Sequence, residues 1–264
     1  MEIILNERKR AEQILEKGHI GKKPSSTLFL LAKYYQHGRG LSSSETETCL
    51  NQFMQANYEN FTPALWEQTI ENIVKKSTSC KLREMDAIGI TENELQAIRL
   101  LQNPKYERLV FVLLCHAKFH NAVSEKNNNW ANLNIPELFR LARVTVRHKN
   151  DKYLYLNEIE SLPVIENHSL ISFSQRNDNL NIRIHFIDTE TPPVLWLDDF
   201  REPGYEYMNF LGEGKFVRCQ ECARLVKIKS KHDFSTKYCP ICRKEKELEA
   251  MRKRIRKMRS KLTV

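Results

Sequence analysis

The sequence predicts an α+β chain, mostly α, with a helical front, a mixed middle and a small cysteine-bound end. Three observations carry that reading. Apolar residues recur at the helical period through most of the first 160 residues. One clean alternation of period two follows, in which Leu180, Ile182, Ile184 and Phe186 interleave with Asn181, Arg183 and His185. Two Cys-x-x-Cys pairs, Cys219/Cys222 and Cys239/Cys242, then stand sixteen residues apart and lead into a charged run, Arg243 to Lys261, free of Gly and Pro.

The 264 residues are 41% apolar, enough for one to three domains with real cores. The longest apolar run, Leu109 to Cys115, is seven residues, far short of a membrane span, so no membrane partner is expected. The start, Met1-Glu2-Ile3-Ile4-Leu5, turns polar at once and does not read as a secretory signal. Seven cysteines is an odd number, and Cys49, Cys80 and Cys115 are isolated; a reducing, cytoplasmic location is the expectation. Charge is uneven. Residues 243–264 hold ten Lys/Arg against three Glu, or +7, and residues 211–242 hold seven against three, or +4. With +9 overall, the first 210 residues sum to −2. A basic end of this kind points to a polyanion, the alternative being a solubilising tail.

Taken in order, residues 1–20 carry a helical pattern with Ile4, Leu5, Ala11, Ile14 and Leu15, ended by His19-Ile20-Gly21. Pro24 opens a second helix at its first turn, where a missing N–H costs nothing, and Gly38-Arg39-Gly40 stops it. Ser42 to Ser44 offer caps for a third, and Thr62-Pro63 begins a fourth with Leu65, Trp66, Ile70, Ile73 and Val74. Residues 79–90 read as a connector, and Thr91-Glu-Asn-Glu94 is a capping box for a fifth helix ending near Asn103-Pro104. Residues 1–103 are therefore expected as one helical domain. Leu31-Ala32-Lys33-Tyr34-Tyr35, Gly40-Leu41-Ser42 and the Lys75-Lys76 finish resemble the helical domain found C-terminal to some phage and plasmid primases, over about 55 residues and with no catalytic group. A generic helical bundle is the alternative.

Residues 104–190 are expected as a second domain. Tyr106 to His120 is an apolar helix and Trp130 a core plug beside a loop, Asn127 to Asn129. A short helix, Glu137 to Ala142, then precedes a longer one from Val146 to about Leu162, with Leu154, Leu156 and Ile159 as apolar positions. Leu170 to Ser174 and the alternating segment make a hairpin around Arg176 to Asn179. That order resembles a winged helix-turn-helix. The resemblance implies DNA contact by Thr145, Arg147, His148, Lys149 and Lys152 at the start of the second helix, with Arg176 at the wing tip. Protein pairing through the same domain stays open.

Residues 191–214 read as a bridge broken by Pro192-Pro193 and Pro203-Gly204. Its aromatics Trp196, Phe200, Tyr205, Tyr207 and Phe210 are expected to pack on the middle domain. Residues 215–264 form the end domain. Zinc takes four soft ligands in a tetrahedron, and each Cys-x-x-Cys turn presents two thiolates to one ion. One structural zinc on Cys219, Cys222, Cys239 and Cys242 is the expectation, with disulfides or chance spacing as alternatives. Between the pairs, Leu225 to Lys229 and Thr236 to Tyr238 read as a hairpin, and with a following helix the arrangement resembles a treble-clef-like zinc finger. Arg252, Lys253, Arg254, Arg256, Lys257 and Arg259 crowd the helix beyond it and are the candidate polyanion contacts. Only Met251, Ile255 and Met258 are apolar there, a narrow seam that leaves such a helix unable to bury itself.

No Walker loop, Gly-x-Gly-x-x-Gly, His-Glu-x-x-His or nucleophile elbow is present, so a non-enzymatic role is expected. Asp198-Asp199 and Glu158/Glu160 are the carboxylate pairs a metal nuclease would need, but such pairs are common on surfaces. The whole chain resembles uncharacterised phage and integrative-element proteins of Gram-positive bacteria, which implies a DNA-associated role and supplies no activity. The expected function is regulatory or replication-associated nucleic-acid binding, with duplex DNA as partner. The rival is a protein-binding inhibitor of a host defence nucleoprotein complex.

Overall fold

The computed structural model describes residues 3–262 except 22, 125, 149, 164–167, 175–180 and 229–236, and in the last helix leaves out the side chains of 253, 256, 257 and 259–262. The expected wing loop, Arg176 to Asn179, and Lys149 therefore lie outside the described residues. The chain is α+β and mostly helical, and it divides into two compact units, Met1–Ala87 and Ile88–Val264. The break falls at 87/88, earlier than the 103/104 boundary expected, because the segment after it is a strand of the second unit.

The first unit is helical. α1 (Glu7–Lys17) starts where the Asn6 side chain accepts the Lys9 N–H and ends at Gly18, whose φ of 61° suits glycine. It is shorter than the 1–20 span expected, because Asn6 and Gly18 supply the stops. A β-carbon at Gly18 would also stand 2.1 Å from the Asn57 side chain. α2 (Pro24–Lys33) opens on its proline and runs into a π-helical turn, Tyr34–Gly38. In α3 (Ser43–Asn57), Ser42 and Glu45 complete a reciprocal capping box. α4 (Pro63–Thr78) again has proline in its first turn. Leu28, Leu31, Ala32, Leu50, Met54, Ile70 and Val74 from three of these helices meet in the core. Leu65, expected along the apolar face of α4, is instead exposed. A buried ion pair between Glu7 and Lys33 joins α1 to α2, and Glu7 also accepts the Arg83 backbone N–H at 2.8 Å.

The second unit starts with β1 (Ile88–Thr91), paired antiparallel to β5 (Pro193–Leu197). The connector and bridge of the sequence reading thus contribute the two strands of one sheet. α5 (Glu92–Arg99) carries the predicted Thr91/Glu94 capping box. α6 (Pro104–Val123) is the centre of the unit, and its Leu109 to Cys115 run is wholly buried, as a helix apolar on all sides must be. β2 (Trp130–Ala131), α7 (Ile135–Leu141), α8 (Asp151–Ser161), β3 (Ile171–Phe173) and β4 (Ile182–Ile184) follow. The three strands form an antiparallel sheet in the order β2-β4-β3, with Ala131 and Phe173 both opposite Ile182. Trp130, expected as a core plug, is a half-buried strand residue paired with Arg183.

α8 begins five residues later than the expected Val146. The Asp151 carboxylate accepts the His148 N–H at 3.1 Å, which holds the preceding residues in a turn. Leu156 and Ile159 are buried as expected, whereas Leu154 faces out. The bridge holds α9 (Pro203–Phe210), which packs on α6: Tyr207 donates to Glu107 at 2.9 Å, and Phe111 lies 4.8 Å from its ring. Phe200 and Tyr207 are buried as expected of the aromatic group, but Trp196 and Phe210 are exposed. No helix among the described residues is long and apolar enough to cross a membrane.

Candidate metal centre and the basic helix

Two elements present the cysteines. β6 (Lys215–Arg218) and β7 (Leu225–Ile228) form an antiparallel hairpin whose connecting turn is the first knuckle, Cys219 to Arg224. The hairpin therefore encloses the first Cys pair. It does not link the two pairs as expected, since Lys237 is not in a strand and residues 229–236, His232 among them, lie outside the described residues. Ala223 takes φ 58°, the left-handed conformation that folds the knuckle back, and the Cys219 N–H donates to the Arg224 carbonyl at 2.9 Å. The second pair opens α10 (Pro240–Leu262): Cys239 precedes it, Cys242 lies in its first turn, and Pro240 takes the first helical place. Gln220 donates its N–H to the Lys237 carbonyl at 2.9 Å and ties one knuckle to the other.

The four sulfurs of Cys219, Cys222, Cys239 and Cys242 all lie within 4.8 Å of one another. Among the described residues this is the only group of three or more His, Cys, Asp or Glu donors so close together. A tetrahedron with metal–sulfur bonds of about 2.3 Å has sulfur–sulfur edges of about 3.8 Å, and Cys222 and Cys239 stand at 3.8 Å. Cys219, Cys239 and Cys242 are buried, Cys222 is half-buried, and Val226 and Tyr238 pack against them. The Cys242 N–H points to the Cys239 sulfur at 3.4 Å. Burial opposes ionisation of Cys219, but the N–H groups of Cys239, Cys222 and Glu221 outweigh it and bring this thiol down to about 6. Cys242 is pushed up, first by burial and then by its neighbouring thiols. Four thiolates so close need a cation between them, and with all four present the set leaves no open position for substrate.

The knuckle is held by charged groups that no local sequence pattern connects to it. Arg201 donates to the Cys222 carbonyl at 2.6 Å while gripping Asp199 in a two-pronged pair. Glu202, buried, lies 3.5 Å from Arg224 of the knuckle and also accepts from Arg143, at 2.7 Å from its Nε. Arg143 is the left-handed residue (φ 55°) of the turn after α7, and its guanidinium lies 4.5 Å from the Tyr205 ring centre. Arg218 pairs with Glu206 at 3.2 Å and approaches Asp198 at 3.9 Å. Of the four carboxylates considered for catalysis, three accept hydrogen bonds: Asp199 from Arg201, Glu158 from the Tyr106 hydroxyl, and Glu160 from the Phe173 N–H at 2.8 Å.

The predicted polyanion contacts fall in two places. Thr145, Arg147 and His148 are exposed, in the turn before α8 and not in its first helical turn. Lys152, inside the helix, is half-buried with its ammonium 5.5 Å from the Phe139 ring centre. Lys149 and Arg176 lie outside the described residues. In α10, Arg252 and Arg254 are exposed; Lys253, Arg256, Lys257 and Arg259 hold helical positions. Lys246 pairs with Glu221 at 2.9 Å and sits 4.9 Å from the Tyr238 ring centre, latching the start of the helix to both knuckles.

The fold and site define a mostly helical α+β chain whose last helix is anchored by a four-cysteine cluster fit for a structural metal ion. No protein family, curated protein or solved structure gives a significant match to it.

Proposed function

We propose that the chain is a zinc-containing nucleic-acid-binding protein of a phage or other mobile element, acting in its regulation or replication on duplex DNA. The observation that carries the reading is α10. It is a 23-residue helix, about 34 Å long at 1.5 Å per residue, launched from the cysteine cluster with a strong excess of cations. Neighbouring like charges at i, i+4 oppose such a helix in isolation. A polyphosphate relieves that repulsion and releases counterions. Zinc is the ion a closed set of four thiolates favours, and it would fix the direction in which the helix leaves the finger.

The order α6-β2-α7-α8-β3-β4, with strand order β2-β4-β3, supports reading this segment as a winged helix. In that reading Thr145, Arg147 and His148 approach DNA from the turn leading into α8, with Lys152 beside them and Lys149 and Arg176 as further candidate contacts, while α10 contributes sequence-independent affinity. The test is purification of the full chain from cells at low salt, with and without nuclease. Nucleic acid that co-purifies and is lost when Lys253, Arg256 and Lys257 are changed to Gln supports the reading. A stoichiometric protein complex that survives nuclease overturns it in favour of a protein-binding inhibitor.

A further inference from the structure

Away from its cations, α10 carries a second pattern. Ile241, Leu248 and Ile255 recur every seven residues, and Met251 and Met258 follow the latter two by three. These are the a and d positions of a heptad repeat, with Lys244 as the remaining d. All five apolar side chains are open to solvent, at 51%, 45%, 43%, 59% and 65% for Ile241, Leu248, Ile255, Met251 and Met258. The finger does not cover them: Cys242 and Lys246, which hold the helix to the knuckles, lie at the b and f positions of the same repeat.

We propose that this seam is an antiparallel docking face for α10 of a second copy of the chain. The flanking charges choose the occupant and its direction. Glu245 and Glu247 flank the front of the seam at e and g, and Arg252 and Arg254 flank it one heptad later. Set antiparallel, Ile241 of one copy meets Met258 of the other, Leu248 meets Met251, and Lys244 lies beside Ile255. In that register Glu245 faces Arg252 and Glu247 faces Arg254, and the two-fold axis repeats each pair. An acidic helix in the same place would set its carboxylates against Glu245 and Glu247, and a polyphosphate cannot cover five apolar side chains. The covered surface, on the order of 1,000 Å² in total, sits at the lower bound of specific interfaces, so the pairing is weak and reversible. Lys253, Arg256 and Lys257 occupy positions off the seam, so pairing leaves them available to a polyanion.

Sedimentation equilibrium of the metal-loaded full chain, without nucleic acid, tests this independently of the proposed function. Mass should rise from monomer toward dimer with concentration. The dimer fraction should grow with salt, because each helix carries +7 and salt screens that repulsion; nucleic-acid binding responds to salt in the opposite sense. Leu248→Asp should weaken pairing at least tenfold while leaving metal content unchanged. Glu245→Arg should weaken it too, and Glu245→Arg with Arg252→Glu should restore it. A chain monomeric at every concentration and salt, a dimer indifferent to Leu248→Asp, or a double charge reversal that restores nothing overturns the proposal. So does a monomer that takes up an acidic amphipathic peptide through the seam.

Discussion

Replacing Glu94 should be among the most damaging single changes in the second unit. Its side chain is wholly buried, and its carboxylate accepts four hydrogen bonds from three groups. The Thr91 N–H donates at 2.8 Å, the Asp188 N–H at 3.0 Å, and the Lys118 ammonium at 2.8 Å to each oxygen. Glu94 thereby fastens the start of α5 to α6 and to the loop before β5. Glu94→Ala leaves the Lys118 ammonium, 14% exposed, without this partner and strips an acceptor from two N–H groups. Breaking a buried pair costs about 3–5 kcal/mol, and the residual access of Lys118 to water favours the lower half. About 3–4 kcal/mol, at roughly 2–4 °C per kcal/mol for a unit of this size, lowers the melting temperature by on the order of 10 °C. Glu94→Gln keeps an acceptor for Thr91 and should cost less. Lys118→Met should cost least, since the carboxylate retains both backbone donors. Urea titration of the three variants gives the order. A loss under about 1 kcal/mol for Glu94→Ala, or Lys118→Met as the worst of the three, refutes the reasoning.

Cys239→Ser should abolish stoichiometric metal while leaving the helical signal of the first unit intact, because metal binding at such sites is worth on the order of 10 kcal/mol and is coupled to local folding. Metal analysis with circular dichroism checks it, and full metal retention in the variant would contradict it. His116 should give the second unit an acid-sensitive limb. It is 4% exposed, neither ring nitrogen has a hydrogen-bond partner among the described residues, and Phe200 packs on it at 5.6 Å. Burial first, then the nearby His120, pushes it down to about 3, with Glu137 opposing. The unfolded chain therefore takes up the proton first. Stability from this group is present above about pH 6.5 and lost as pH falls toward 3, by up to about 1.4 kcal/mol per pH unit. His116→Leu should flatten that limb in urea titrations at pH 7 and pH 5; an unchanged limb assigns it to other groups. Arg147→Ala should weaken binding to a preferred DNA site more than binding to random duplex, and equal effects on both would remove the winged segment as a reader.

Local chemistry was the legible part of this chain. Pro24 and Pro63 at first turns, the Thr91/Glu94 box and the two Cys-x-x-Cys pairs each announce their role within a few residues, and each stands where the sequence placed it. Pairing at a distance was not legible. β1 and β5 are short and far apart in sequence, with Gly89 second in one and Pro193 first in the other, so neither reads as a strand alone; at Gly89 a β-carbon would strike Pro193 at 2.4 Å. α8 starts later than its apolar pattern predicts because the Asp151 side chain, reaching back to His148, outcompetes the helical pattern before it. The finger's hairpin is expected between the Cys pairs, while its first strand precedes them. Likewise the ion pairs of Glu202 and Arg201 that seat the knuckle join residues no local pattern connects. In α10 the crowd of cations masks the pattern of Ile241 and Leu248, which extend the three-residue seam into a heptad repeat.

The most direct test of the central claim is the salt dependence of duplex binding by the metal-loaded full chain, followed by fluorescence anisotropy. Each phosphate contact should contribute about 0.9 to the slope of log K against log salt. Binding should therefore fall with a slope of several. Changing Lys253, Arg256 and Lys257 to Gln should reduce that slope by roughly 2–3, with metal content and melting temperature unchanged. Absence of binding at low salt, or a slope the three substitutions leave unaltered, would contradict the account.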